Sequence, residues 1–197
     1  MPKLFFTCVL SYLLFPIVVS QSGQRFTAAA EAPLFAANQR IDEKDKIEVQ
    51  AITSQDKVHN GATFFAMLLV NIQGGWHINS AAPSDENMIA TSVETPELKA
   101  ITVLDIRFPK GIERTFGFSD RPLDVYEGTF RILMKLRAGP GLKSGTYLLP
   151  VDITYQACND NICLPPRTRR VSIPILVVPS TDRVVRINKD LFHDVLK

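Results

Sequence analysis

The sequence is poor in the side chains that usually hold metals, with three cysteines and three histidines in 197 residues. None of the histidines, His59, His77 and His193, stands at a recognisable ligand spacing from a cysteine, so a four-ligand zinc site lacks donors. Neither sign of charge prevails. Lys and Arg number 22 against 20 Asp and Glu, and no basic stripe is interleaved with aromatics, which leaves no field suited to nucleic acid. Long apolar runs are missing once the opening segment is passed. Even VSIPILVVP is short and broken by proline, whereas a bilayer span takes roughly 20 apolar residues. No Ser-His-Asp order, phosphate-cradling glycine loop or paired-carboxylate motif stands out. Internal repeats and low-complexity tracts are absent as well.

What is present begins with MPKLFFTCVLSYLLFPIVVSQSG. One cation, Lys3, precedes an apolar run that carries Pro16 and ends in small and polar residues near Ser20, which reads as a secretory signal peptide over 1–20. Its cleavage would remove Cys8 and Lys3, leaving 21 basic against 20 acidic residues and a net charge of about +1. The mature chain is then expected to have no membrane span and to be periplasmic or otherwise exported. In an oxidising compartment its two remaining cysteines, Cys158 and Cys163, are expected to pair.

Residues 21–43 have small side chains and weak periodicity, and read as an arm or linker. Strand-like runs follow over 46–53, 63–72, 88–94, 98–108, 129–136, 146–158 and 170–178, several alternating apolar and polar residues as half-buried strands do. Turn signals such as Asn60-Gly61, Gly74-Gly75, Glu127-Gly128 and AGPGLKSG separate them. Strands without intervening amphipathic helices predict an all-β fold, an antiparallel immunoglobulin-like β-sandwich, over 44–180. The tail 181–197 holds the one helix candidate, DLFHDVLK, in which Leu191, Val195 and Leu196 share a helical face; a frayed terminal turn is the alternative.

Cys158 and Cys163 lie in YQACNDNICLPP, at a strand end, and are expected to face each other across a hairpin. Three uses are open to them. As a staple the pair is weak, because closing so short a loop contributes only about 2 kcal/mol in the chain-entropy picture, against about 5 for a very long one. Two thiolates alone suit a soft ion such as Cu(I), which would make the protein a copper carrier. A dithiol that exchanges needs one reachable sulfur and a second near enough to resolve the mixed disulfide, and a hairpin end offers both. Pro165-Pro166 is expected to keep the following segment out of ladder pairing and leave an edge for a partner. Arg167, Arg169 and Arg170 either favour a thiolate or, more commonly for edge-strand arginines, block aggregation. His77, beside Trp76, invites a proton-transfer role, although a lone strand histidine is more often a structural hydrogen-bonding residue.

The segment VDITYQACNDNICLPPRTRRVSIPI resembles the active-site segment of the N-terminal periplasmic domain of the DsbD thiol:disulfide reductase, with a valine-rich strand, a YQxC start, a second cysteine and a Pro-Pro pair. GWHINSAAPSDENMIATSVE is similar to an upstream stretch in soluble relatives of that domain, and the similarity runs over roughly 47–178. The resemblance implies an immunoglobulin-like module that passes reducing equivalents through Cys158 and Cys163, with Cys163 engaging the partner's sulfur and Cys158 resolving. It needs no cofactor and no metal. It further implies exported thioredoxin-like or disulfide-isomerase-like partners, and a cap loop over the pair, for which 113–126 supplies Phe116 or Phe118. The loop between the cysteines is one residue shorter than in the best-known relatives. With no Cys-x-x-Cys motif in the chain, electrons are expected from a separate membrane donor. A non-enzymatic binding module with a structural disulfide is the alternative from another class.

Overall fold

The computed structural model describes residues 45–195 apart from 86 and 118. The segments read as signal peptide and arm, and Phe118, lie outside the described residues. Twelve strands follow one another in the described chain: β1 (Ile47–Thr53), β2 (Val58–His59), β3 (Thr63–Ile72), β4 (His77–Asn79), β5 (Ser92–Glu94), β6 (Ile101–Arg107), β7 (Ile112–Arg114), β8 (Leu123–Glu127), β9 (Thr129–Ala138), β10 (Gly145–Tyr155), β11 (Ala157–Cys158) and β12 (Arg167–Val178).

Alternation in the sequence decides which faces meet. In β9, Phe130, Ile132, Met134, Leu136 and Ala138 are buried while the residues between them are more exposed, as the period of two in a strand requires. The first sheet runs β1-β3-β9-β6 and the second β2-β12-β10-β5. Their inward rows, such as Leu68 and Val70 of β3 against Val151 and Ile153 of β10, belong to one apolar core. Burying each such side chain is worth about 1.5–3 kcal/mol. The architecture is an immunoglobulin-like β-sandwich, antiparallel except where β12 meets β2 in a short parallel pair at Val177 and Val178.

A third, smaller sheet, β11-β4-β8-β7, positions the cysteines. β10 pairs with β12 as far as Tyr155 opposite Arg167; beyond Gln156 the chain changes neighbours, and Ala157 and Cys158 pair with Ile78 and His77 of β4. The small sheet is two-faced. Ala157, Ile78 and Tyr126 stand opposite one another and join the main core, so Cys158, His77 and Glu127, one residue along each strand, occupy the outer face. A close approach fixes this sheet against the chain entering β7. A Cβ at Gly111 would come within 2.9 Å of the Ser80 Cβ and 3.2 Å of the Asp124 Cβ, so only glycine fits there.

One expectation needs correcting. Pro165-Pro166 does not delay ladder pairing, because β12 opens at the next residue, Arg167; the prolines lie before the first paired position and cost the ladder no N–H. Of the two readings of the tail, helix or terminal turn, the described residues show the turn: the chain forms successive turns over 190–195, held by Phe192 N–H to Lys189 O at 3.2 Å and Val195 N–H to Phe192 O at 3.1 Å, and Leu196 lies outside the described residues. The tail's anchor is Phe192, fully buried, and the Ile187 N–H donates to Ser54 O at 3.0 Å beyond the end of β1. Burying one phenylalanine needs no helical stripe.

Candidate functional site

The hairpin that joins the cysteines is ordered by its own polar residues. Asn159 donates its N–H to Ile162 O at 2.9 Å, and its Oδ1 accepts from the N–H of Asn161 and of Ile162, each at 2.9 Å. This is the local bonding by which Asn favours turns. Cys158 and Cys163 then oppose each other in an antiparallel bridge, with Cα atoms 4.0 Å apart, and are joined as a disulfide. Gln156 ties the hairpin to the sheet. Its Nε2 donates to Leu164 O at 3.2 Å while its Oε1 accepts from Asn79 Nδ2 at 3.4 Å.

The two cysteines differ in exposure. Cys158 is 1% exposed, whereas Cys163 is exposed beside Ile162, itself 54% exposed, and the exposed Pro165 and Pro166. Attack by an external thiolate depends on reaching a sulfur, and Cys163 is the exposed residue of the pair. Exposed apolar residues around it supply contact area without charge.

On the outer face of the small sheet Cys158 stands opposite His77, and His77 opposite Glu127. His77 is 4% exposed, and the Phe116 ring stacks on its imidazole with centroids 4.1 Å apart. Burial pushes the His77 pKa below the usual histidine value, while the carboxylates of Glu127 and Asp160 oppose the shift. The imidazole is therefore neutral near pH 7. Glu127 is held by Arg114, whose Nε lies 3.2 Å from both carboxylate oxygens and whose Nη2 lies 3.0 Å from Oε2.

A second polar cluster lies where β10 and β12 lead to the hairpin. Asp45 accepts from Arg167 Nη1 at 3.1 Å, Arg169 Nη1 at 3.0 Å and the Tyr155 hydroxyl at 3.3 Å. Arg170 makes a bidentate pair with Asp152, at 2.6 and 2.5 Å. These arginines are thus engaged by carboxylates. Burial, reinforced by the Asp45 carboxylate, pushes the Tyr155 hydroxyl up to about 12. Because the folded value lies above the unfolded one of about 10, the stability it carries is full below pH 10 and is lost as pH rises toward 12. An alkaline titration is expected to show Tyr155 ionising only near pH 12 or with unfolding, at a cost of about 2–3 kcal/mol. A phenolate absorbance curve in which every tyrosine ionises near pH 10 with the fold intact would contradict this.

The structure brings Cys158 and Cys163 together as the sequence reading required. Phe116, one of the two cap candidates, is buried against Leu123 and Val125 and rests on His77, leaving Cys163 exposed. Sequence reasoning missed the register of His77 with Cys158, the Asp45 cluster and the Gln156 tie. Tyr155 and Gln156 sit in the YQAC stretch itself, so their position next to Cys158 was the available signal. Among the described residues no group of three or more His, Cys, Asp or Glu is arranged to hold a metal ion, and no helix is long and apolar enough to cross a membrane.

The family described as thiol:disulfide interchange protein DsbD, N-terminal, matches residues 43–174. No curated protein matches the chain. Among solved structures, the reduced N-terminal domain of Neisseria meningitidis DsbD is 16% identical, with a TM-score of 0.40, over 76% of this chain and 97% of that one. The N-terminal periplasmic domain of ScsB from Proteus mirabilis is 13% identical, with a TM-score of 0.45, over 69% of this chain and 48% of that one.

Proposed function

This chain belongs to the DsbD N-terminal domain family, and from that premise we propose that it is an exported thiol:disulfide interchange module passing two electrons between Cys158-Cys163 and a thioredoxin-like or disulfide-isomerase-like partner. The observation that carries the reading is the asymmetry of the pair, with Cys163 exposed and Cys158 buried at one hairpin end. In the reducing direction the Cys163 thiolate attacks a partner disulfide and forms a mixed disulfide, releasing one partner sulfur as a thiolate. Cys158 then attacks Cys163, the mixed bond breaks, and the partner leaves as a dithiol. A reduced dithiol from a separate membrane donor reloads the module. Phe116 shields the inner side of the pair by covering His77, with Phe118 the second cap candidate.

The same reading assigns 1–20 to an export signal, 21–43 to an arm or linker, 44–180 to the exchanging domain and 181–197 to a C-terminal tail. A redox titration with thiol alkylation tests the exchange. The expected result is reversible opening of the Cys158-Cys163 bond at a potential above about −300 mV, since structural disulfides in exported proteins lie below that value. A bond that stays closed at lower potentials would overturn the proposal.

A further inference from the structure

We infer that His77 is the proton acceptor for Cys158: its imidazole takes the thiol proton as the Cys158 sulfur attacks the mixed disulfide on Cys163, and Glu127 on the next strand stabilises the imidazolium so formed. The inference rests on the dithiol reading above and adds the group that makes its second step feasible.

The argument starts from burial. Cys158 is 1% exposed, and a thiol removed from water gives up its proton reluctantly because the thiolate is poorly solvated. Resolution of the mixed disulfide needs that thiolate, so an internal acceptor has to stand near Cys158. His77 is its direct cross-strand partner. Side chains so opposed share a face, with Cβ atoms about 4.5–5.5 Å apart, which puts an imidazole within reach directly or through one water. The opposite face of these strands is filled by Ala157, Ile78 and Tyr126 in the core, so the outward direction of the row is fixed.

The surroundings suit a base that returns to neutrality. Phe116 covers one face of the ring, which limits competing water. Glu127 stands opposite on β8 and is itself oriented by Arg114 of β7, while Asp160 of the hairpin loop adds a second negative charge. Among the described residues, Glu127 and Asp160 are the charged groups that act on the ring's proton affinity. Burial keeps the imidazole neutral near pH 7 and so able to accept.

The step balances. The Cys158 proton passes to His77, the Cys158–Cys163 bond forms, and the bond between Cys163 and the partner breaks, its electron pair leaving on the partner sulfur. That thiolate takes the proton from His77, which returns unchanged. Two electrons reach the partner, and the protein is left as the disulfide.

The test uses the reduced full chain and a nitrothiobenzoate disulfide reagent as probe. Attack by Cys163 releases the first chromophore and closure by Cys158 releases the second, so one trace separates the two steps. His77→Gln is expected to slow the second release about 100-fold at pH 7 and to leave the first within about two-fold. In the wild type the second release should fall as the imidazole protonates. Glu127→Gln removes a carboxylate that raises the His77 pKa, so it should move this acid limb to lower pH, a change that loosened packing would not produce. A second release in His77→Gln within about two-fold of wild type overturns the inference; should that variant fail to fold, an unmoved acid limb in Glu127→Gln does so. A wild type that releases only the first chromophore would sink the dithiol reading itself, and this inference with it.

Discussion

Replacing Cys158 with serine is expected to convert the protein from an exchanger into a trap. Cys163 is exposed and keeps its sulfur, so the first step, attack on an oxidised thioredoxin-like partner, proceeds as before. The second step has no nucleophile, and the mixed disulfide accumulates until a reductant opens it. Cys158 is 1% exposed, and serine in its place is slightly smaller, so the trap should remain folded. The reciprocal variant, Cys163→Ser, leaves the remaining thiol buried and should form almost no adduct. Non-reducing gels with mass spectrometry are expected to show near-complete adduct for the first variant and at least about 100-fold less for the second. Equal trapping by both would mean that burial does not rank the two sulfurs. No trapping by either would return the disulfide to a structural role.

How far the sequence disclosed this site depends on which contacts are local. β3 coincides with the apolar run 63–72 at both ends, and β9 shares its first residue with the run 129–136, because long apolar runs bounded by turn signals are legible as strands. β4 carries three consecutive buried residues and β7 three consecutive exposed ones, so neither shows a period of two. β8 overlaps the end of 113–126, the stretch read as a cap loop. The pairings that give the site its chemistry join distant parts of the chain. Nothing near His77 in sequence points to Cys158, and nothing near Arg167 or Arg169 points to Asp45. The arginines, read from their neighbourhood, suggested thiolate stabilisation or an aggregation block. Their partner reaches them only when β1 is laid beside β12.

That distant carboxylate carries the largest expected effect on stability. The Asp45 side chain is 11% exposed and faces Arg169, 16% exposed, and Arg167, 37% exposed. Asp45→Ala leaves two guanidinium groups and the Tyr155 hydroxyl without their shared acceptor. Removing one member of a buried ion pair costs about 3–5 kcal/mol, because the remaining charge stays desolvated. Solvent access at Arg167 discounts that range, which puts the expected loss near about 3 kcal/mol. Urea unfolding should show a lower midpoint at unchanged slope. Asp45→Asn, which keeps an acceptor but not the charge, should lose less and should also lower the Tyr155 pKa, since the carboxylate is the second cause of its rise after burial. With the folded value nearer the unfolded one, stability is less sensitive between pH 10 and 12. A loss under about 1 kcal/mol in Asp45→Ala would place the cluster among screened surface pairs. A loss near the expected value would mean that both limbs of the hairpin, three residues before Cys158 and four after Cys163, are moored by one carboxylate two residues ahead of the first strand.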